Sequence, residues 1–385
     1  VRARFENRLT HRAIELTDFV DRIAVSEASA LPSAFAAIER AQKAGHWVAL
    51  ILDYSLGEWL EPALRTDATR GAPTERLVAL VARQRNLGST ETPETKDTDP
   101  LPTSQALTAR VASISPGIDL TRYAAMVADI QRRIAAGDLY QVNATFPLNV
   151  QTLGTSYDLY RHIASRHPSE HAAYIEDTHR SILSFSPELF LSRTGNRLMT
   201  KPMKGTAPRV LDDPEKDQQR AQALQESEKN RAENLMIVDL LRNDMGRLAL
   251  PGSIRVNPLF ELEAYPSVWT MTSTIEATLP RGTSLAEIVY ALFPCGSVTG
   301  APKIAAMRCI DELETYPRGV YCGSIGWLAP DGDFSLNVAI RTLVLDKQGH
   351  GAYHVGGGIV HDSQASDEWE ECFWKARVIE PEPNA

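Results

Sequence analysis

Apolar and polar positions alternate with two different periods along this chain. Residues 31–44 carry apolar side chains at helical spacing and stop at Gly45, which predicts a helix. Residues 46–54 are a nearly unbroken apolar run and predict a buried strand. Residues 119–136 predict a helix ended by Gly137, and 140–150 a strand. A strand pair is predicted at 181–192 and 196–200, one long helical region at 217–248, and a strand at 267–279. Pro302 stands early in a helix predicted over 302–313. Three successive antiparallel strands follow at 319–329, 333–345 and 351–360, then a closing helix at 367–378. Clusters of strands between long helices point to an α+β fold rather than a repeating βαβ unit.

One stretch breaks the periodicity. Residues 86–105 are rich in Thr, Pro, Asp and Glu, and predict a linker or mobile loop. It closes an N-terminal region, 1–105, which is expected to form one integrated fold with the remainder, 106–385.

Composition removes whole classes of function. The 385 residues are 43% hydrophobic and 23% charged, enough for a sizeable core in a water-soluble protein. A formal net charge of -9 argues against a sequence-independent nucleic-acid binder, which needs a basic face. A small anionic substrate stays open, because a pocket needs only a few local cations. Cys295, Cys309, Cys322 and Cys372 form no C-x-x-C pair and have no histidine cluster beside them. Reduced thiols in the cytoplasm are therefore expected, rather than disulfides or zinc. No apolar run is long enough to cross a bilayer, and no signal-peptide core follows Val1. No glycine-rich nucleotide fingerprint follows a strand.

Five segments carry residue types suited to chemistry. Lys204 stands in Lys201-Pro202-Met203-Lys204-Gly205-Thr206, read as a tight turn after a strand. If buried, its amine loses solvation and becomes a nucleophile or base. Exposed lysines are far commoner, so the segment alone leaves both readings open. Glu188 follows an apolar strand and precedes Leu189 and Phe190, a setting that raises a carboxyl pKa and makes a proton donor. A turn glutamate is the plainer alternative. Glu233 and Asp244 share a helix face with Ile237 and Leu240, so those carboxylates need a cation, a metal or an arginine. Glu368, Glu371 and Lys375 share a face of the closing helix, as an exposed ion pair or as oxygen ligands for magnesium. Residues 293–303 form a small-residue loop entering a helix, where backbone N–H groups favour an anion. Gly356, Gly357 and Gly358 permit a turn or close approach of a ligand.

Taken in order, these segments resemble the chorismate-utilising enzymes. The likeness runs from about residue 118 to 377 and includes GDLYQVN, SFSPELF, KPMKGTAPR, AENLMIVDLLRNDMGRLA, FPCGSVTGAPKIAAM, RGVYCGSIGW, NVAIRT, GGGIV and EWEECFWKAR. The resemblance implies two large antiparallel sheets packed as a sandwich with helices outside, and a cleft that binds chorismate through Mg2+. By resemblance, Glu233 and Glu371 bind the metal and Glu368 stands nearby. Tyr321 and Arg341 hold a substrate carboxylate. Gly296, Thr299, Gly300 and Gly356–Gly358 form carboxylate-binding loops, with Thr206, Lys375 and Gln141 also lining the substrate. Glu188 matches the acid that helps the ring 4-hydroxyl leave.

Two positions separate the members. Isochorismate and salicylate synthases carry a lysine that activates water where this chain has Gln141. Anthranilate synthases usually show alanine where Lys204 stands. The Pro-x-Lys-Gly-Thr form is similar to members that aminate chorismate at C4, with Lys204 attacking C2 and ammonia entering at C4. Such members take ammonia from a glutamine amidotransferase subunit and serve 4-aminobenzoate and folate synthesis. Amination at C2, as in anthranilate synthase component I, and a catalytically silent glutaminase-docking subunit are the alternatives. Many relatives carry a histidine where this chain has Thr270.

Overall fold

The computed structural model describes residues 1–64, 74–90, 109–266 and 268–380. Among these residues, seventeen strands pair into one hydrogen-bonded sheet, three more form a small one, and every pairing is antiparallel. One arm of the large sheet runs from Gln141–Leu153 through His350–Ile359, Thr342–Asp346, Arg180–Ser186 and His171–Glu176 to Arg2–Asn7. The other runs from Leu77–Ser89 through Trp47–Leu52, Ser324–Leu328, Phe334–Val338, Leu189–Thr194 and Arg197–Lys201 to Ile275–Thr278. The long strand Arg12–Val25 pairs with both Arg2–Asn7 and Leu77–Ser89 and so joins the arms. The α+β class is as expected, and the two layers are arms of one sheet rather than separate sheets.

The arms pack against each other. Ala3, Phe5, Ala173, Ile175 and Ile182 from one arm meet Ala49, Ile51, Val78, Leu80 and Ile325 from the other in a single core. The opposite face of the same strands serves a second core. Val48, Leu50, Leu52, Leu77, Ala79 and Val81 cluster there with Leu31, Phe35 and Ile38 of the helix Leu31–Lys43. Side chains alternate across a strand. A strand covered on both faces therefore has no polar positions to spare, which is why Trp47–Leu52 is continuously apolar.

Several expected elements are divided. The helical region 217–248 is two helices, Pro214–Glu226 and Glu228–Gly246. Ser227 between them is extended at ψ 110°, and its side chain accepts from the Asn230 N–H as an N-cap. The strand at 267–279 is Val268–Thr272 in the small sheet and Ile275–Thr278 in the large one. The strand at 333–345 breaks after Val338 and resumes at Thr342, with Arg341 in the left-handed region at φ 49°. The segment after Pro202 is no simple turn: Met203–Pro208 is an edge strand of the small sheet. Of the expected loop 86–105, residues 86–89 belong to strand Leu77–Ser89, and 91–105 lie outside the described residues. No helix among the described residues is long and apolar enough to cross a membrane.

Candidate active site

A cleft of about 420 Å³ opens between strand His350–Ile359, strand Met203–Pro208, and helices Glu228–Gly246 and Ala365–Ala376. Glu188 reaches it from a break in the large sheet. Strand Arg180–Ser186 ends before Pro187, which cannot donate to a ladder, and the chain resumes at Leu189. The break is fixed on both sides. Ser186 Oγ donates to the Val338 carbonyl at 2.6 Å, and Val338 N donates to the Glu188 carbonyl at 3.0 Å. The Glu188 side chain is buried, and its Oε1 has no hydrogen-bond partner among the described residues. Burial pushes its pKa up to about 7, against the lowering influence of Ser297, Lys204, the Met203 backbone and Arg341.

Lys204 faces the same space. A bulge between Met203 and Thr206, with Gly205 at φ 87°, interrupts the edge strand where Lys204 projects. The side chain is half-buried overall, and its amine end is enclosed, with Nζ 3.4 Å from the Ser297 carbonyl. Burial lowers the lysine pKa, while Glu188 and Glu233 oppose that shift. The carboxyl is thus driven up and the amine down, so one cleft holds an acid that keeps its proton more tightly than usual and an amine that holds its proton less tightly.

The acidic side of the cleft is built on two helices. Glu233 comes from the first, and Glu368 and Glu371 from the last. Ser363 Oγ donates to Glu368 Oε1 at 2.7 Å, and burial raises the Glu368 pKa. Lys375 Nζ lies 2.7 Å from Glu371 Oε1, lowering its pKa, and donates to the Gly356 carbonyl at 2.8 Å. A Cβ on Gly357 would sit 3.1 Å from Glu368 Oε2, 3.6 Å from Lys375 Nζ and 4.0 Å from Glu371 Oε1. The glycine strand therefore leaves open the point on which these charges converge. No preformed cluster of three or more metal-ligating side chains stands among the described residues. The donor chemistry nevertheless fits magnesium, which takes one or two carboxylates and keeps much of its water.

The opposite wall holds Arg341 and Tyr321. Arg341 makes no ion pair among the described residues, and its carbonyl accepts from Phe185 N at 2.9 Å. Burial lowers its pKa. Tyr321 stacks on His354, centroids 5.3 Å apart at 16°. A cation and a phenol lining one cleft suit a substrate carboxylate.

Most expected residues line this cleft, including Thr206 and all three glycines of Gly356–Gly358. Four stand behind the wall. Gly296 faces Leu240, whose Cδ2 would be 2.6 Å from an added Cβ. A Cβ on Gly300 would be 2.2 Å from the Gln141 carbonyl. Thr299 Oγ1 donates to the Cys295 and Gly296 carbonyls at 3.3 and 3.1 Å. The amide of Gln141 fills the space over Gly358, and its Oε1 is buried without a partner among the described residues. Within that loop, Ser297 and Val298 are the residues on the wall.

The sequence reading did not single out Ser297, Lys229, Asn143, Tyr353 or His354, all of which line the cleft. Lys229 carried a usable signal, since it precedes Glu233 by one helical turn. Asp244 finds the cation it needed in Lys303, at 2.5 Å. Thr270 is buried and pairs across the small sheet with Thr206.

The chain matches the chorismate binding enzyme family over residues 6–381 and belongs to it. Aminodeoxychorismate synthase component 1 of Klebsiella aerogenes is 44% identical over 250 residues, which are 65% of this chain and 55% of that protein. Anthranilate synthase component 1 of Thermus thermophilus is 40% identical over 248 residues, 64% of this chain and 53% of its own length. The chain thus spans about half the length of the curated relatives it matches. Among solved structures, anthranilate synthase component I from Streptococcus pneumoniae superposes with a TM-score of 0.82 at 25% identity, covering 96% of this chain and 92% of that one.

Proposed function

We propose that this protein aminates chorismate at C4, giving 4-amino-4-deoxychorismate, with ammonia supplied by a glutamine amidotransferase partner in the cytoplasm. The observation that carries this reading is the enclosure of Lys204 and Glu188 in one cleft, with their proton affinities driven toward each other. The family and the aminodeoxychorismate synthase relatives supply the substrate. The designation component 1 in those relatives supports a partner subunit.

The neutral amine of Lys204 attacks C2 of the ring. The two ring double bonds shift and the C4–oxygen bond breaks as Glu188 delivers its proton to the departing hydroxyl, releasing water. Ammonia then attacks C4, the double bonds shift back, and the C2–nitrogen bond breaks, so that the ammonium adduct leaves as the neutral amine of Lys204. The one proton lost by the incoming nitrogen returns to the Glu188 carboxylate. Chorismate and ammonia thus give aminodeoxychorismate and water. Arg341 and Tyr321 hold one substrate carboxylate. Glu233, Glu368 and Glu371 would hold Mg2+, which screens a substrate carboxylate and orients the ring.

The anthranilate synthase likeness supports a second product, with amination at C2. Product chromatography after incubation with chorismate, ammonium and magnesium separates the two. Aminodeoxychorismate is expected; anthranilate alone would sink the C4 reading. Lys204→Ala is expected to abolish aminodeoxychorismate formation. Full retention by that variant would refute the nucleophile role.

A further inference from the structure

Arg318 lies outside the cleft, yet it touches several of the segments that build the cleft wall. It is 4% exposed. Nε and Nη2 donate to the two Glu314 carboxylate oxygens at 2.8 and 2.7 Å, a bidentate pair. Nη1 donates to the Val298 carbonyl at 2.9 Å, and Nη2 also donates to the Asn143 carbonyl at 2.6 Å. Glu314 in turn accepts from Thr145 N and Thr145 Oγ1, both at 2.9 Å. The guanidinium plane lies over the Tyr54 ring, 4.5 Å from its centroid. The Arg318 carbonyl accepts from Tyr321 N at 3.2 Å.

Three of these contacts end on segments that supply the cleft. Val298 follows Ser297, whose carbonyl faces Lys204 and whose side chain hydrogen-bonds Glu188. Asn143 and Tyr321 are wall residues themselves. Two segments distant in sequence, around 143 and 298, thus meet at one guanidinium, and the Arg318 backbone carbonyl adds the turn to Tyr321. A lysine cannot reproduce this junction, because its ammonium lacks the planar fork and has fewer donors.

We propose that Arg318, paired with Glu314, is a positioning residue that sets the loop at Ser297 and Val298 against Asn143, and through that loop holds Glu188 and Lys204 in register with bound substrate. The inference rests on the reading of the cleft as a chorismate site. The pair contributes order rather than chemistry: it makes no contact with substrate and transfers no proton.

The test uses the full chain with Arg318→Lys and the milder Thr145→Val, which deletes one hydrogen bond to Glu314 and keeps side-chain shape. Chorismate affinity is read by titration calorimetry with magnesium and without ammonium. The pH dependence of kcat/KM is then read at fixed free ammonia. Expected are a roughly tenfold weaker Kd in Arg318→Lys, a smaller loss in Thr145→Val, and displaced limbs of the pH profile in both. A purely structural role would lower Tm and leave Kd and the pH limbs of the folded protein unchanged, and that result overturns the proposal. If Arg318→Lys does not fold, unchanged Kd and pH limbs in Thr145→Val overturn it equally. Failure of the unsubstituted chain to bind chorismate would instead overturn the reading of the cleft on which the proposal stands.

Discussion

On the proposed mechanism, Glu188 is one side chain that links stability to catalysis. Its pKa moves from 4.5 to about 7 on folding, chiefly through burial. The folded state therefore binds the proton more tightly than the unfolded state. That contribution is complete below about pH 4.5 and is lost as pH rises through 7, when the buried carboxylate must ionise. Glu188→Gln keeps the shape and cannot ionise. Its melting temperature is expected to gain on that of the unsubstituted protein between pH 5 and 8, by an amount on the order of 2–3 kcal/mol in stability. Parallel pH–Tm curves would show that the carboxyl is not perturbed. Over the same range, kcat should fall by about 10² to 10⁴, as for loss of a general acid. The unsubstituted enzyme should show a bell-shaped pH–rate profile, whose limbs belong to the Glu188–Lys204 pair and not to either residue alone. Both residues stand out in the sequence because each sits among apolar or conformationally restricted neighbours. Ser297 does not, since a serine in a small-residue loop has no feature that distinguishes cleft wall from packing.

Among elements, helices and buried strands were legible where one local rule decided them. The helix Leu31–Lys43 has an apolar stripe and ends before Gly45, and Trp47–Leu52 is apolar on both faces. Breaks inside longer runs were not legible, because tertiary contacts make them. Thr272 and Ile275 belong to different sheets, yet the residues between them carry no proline or glycine. The join between helices Glu228–Gly246 and Lys303–Leu313 is likewise a tertiary matter. Lys303 Nζ reaches Asp244 at 2.5 Å and the Leu292 carbonyl at 3.2 Å, both largely buried from solvent. Burial raises the Asp244 pKa, and Lys303 opposes it. This pair anchors the far end of the loop that carries Ser297. Lys303→Met leaves the carboxylate buried without a partner and should cost about 3–5 kcal/mol, read by urea unfolding. The double variant Asp244→Leu with Lys303→Met removes the stranded charge and should recover most of that loss. A double variant no more stable than the single would show that the destabilisation comes from packing.

On the scale of the molecule, composition suggested two regions divided near residue 105 and expected to join into one fold. Strand pairings cross that division. Trp47–Leu52 lies beside Ser324–Leu328, with Leu50 opposite Gly326. Arg2–Asn7 lies beside His171–Glu176. A Cβ on Gly326 would be 1.9 Å from the Ser335 carbonyl, so this part of the sheet has no slack in which to rearrange. The core between the arms draws Ala49, Ile51, Val78 and Leu80 from before residue 90, and Ala173, Ile175, Ile182 and Ile325 from after it. Removing the first part would expose that apolar face together with two strand edges, which invite aggregation. Arg318 would also lose the Tyr54 ring beneath its guanidinium. A fragment beginning at Ala109 is therefore expected to lack fixed near-ultraviolet circular dichroism and to bind an exposed-surface dye, while retaining some helix signal. It should bind no chorismate, because the wall at Asn143 and Val298 is fixed through Arg318, whose own setting depends on both parts. A fragment that unfolds cooperatively and binds chorismate like the full chain would show that 109–385 is a domain in its own right. The first region would then be an appendage rather than half of the sandwich.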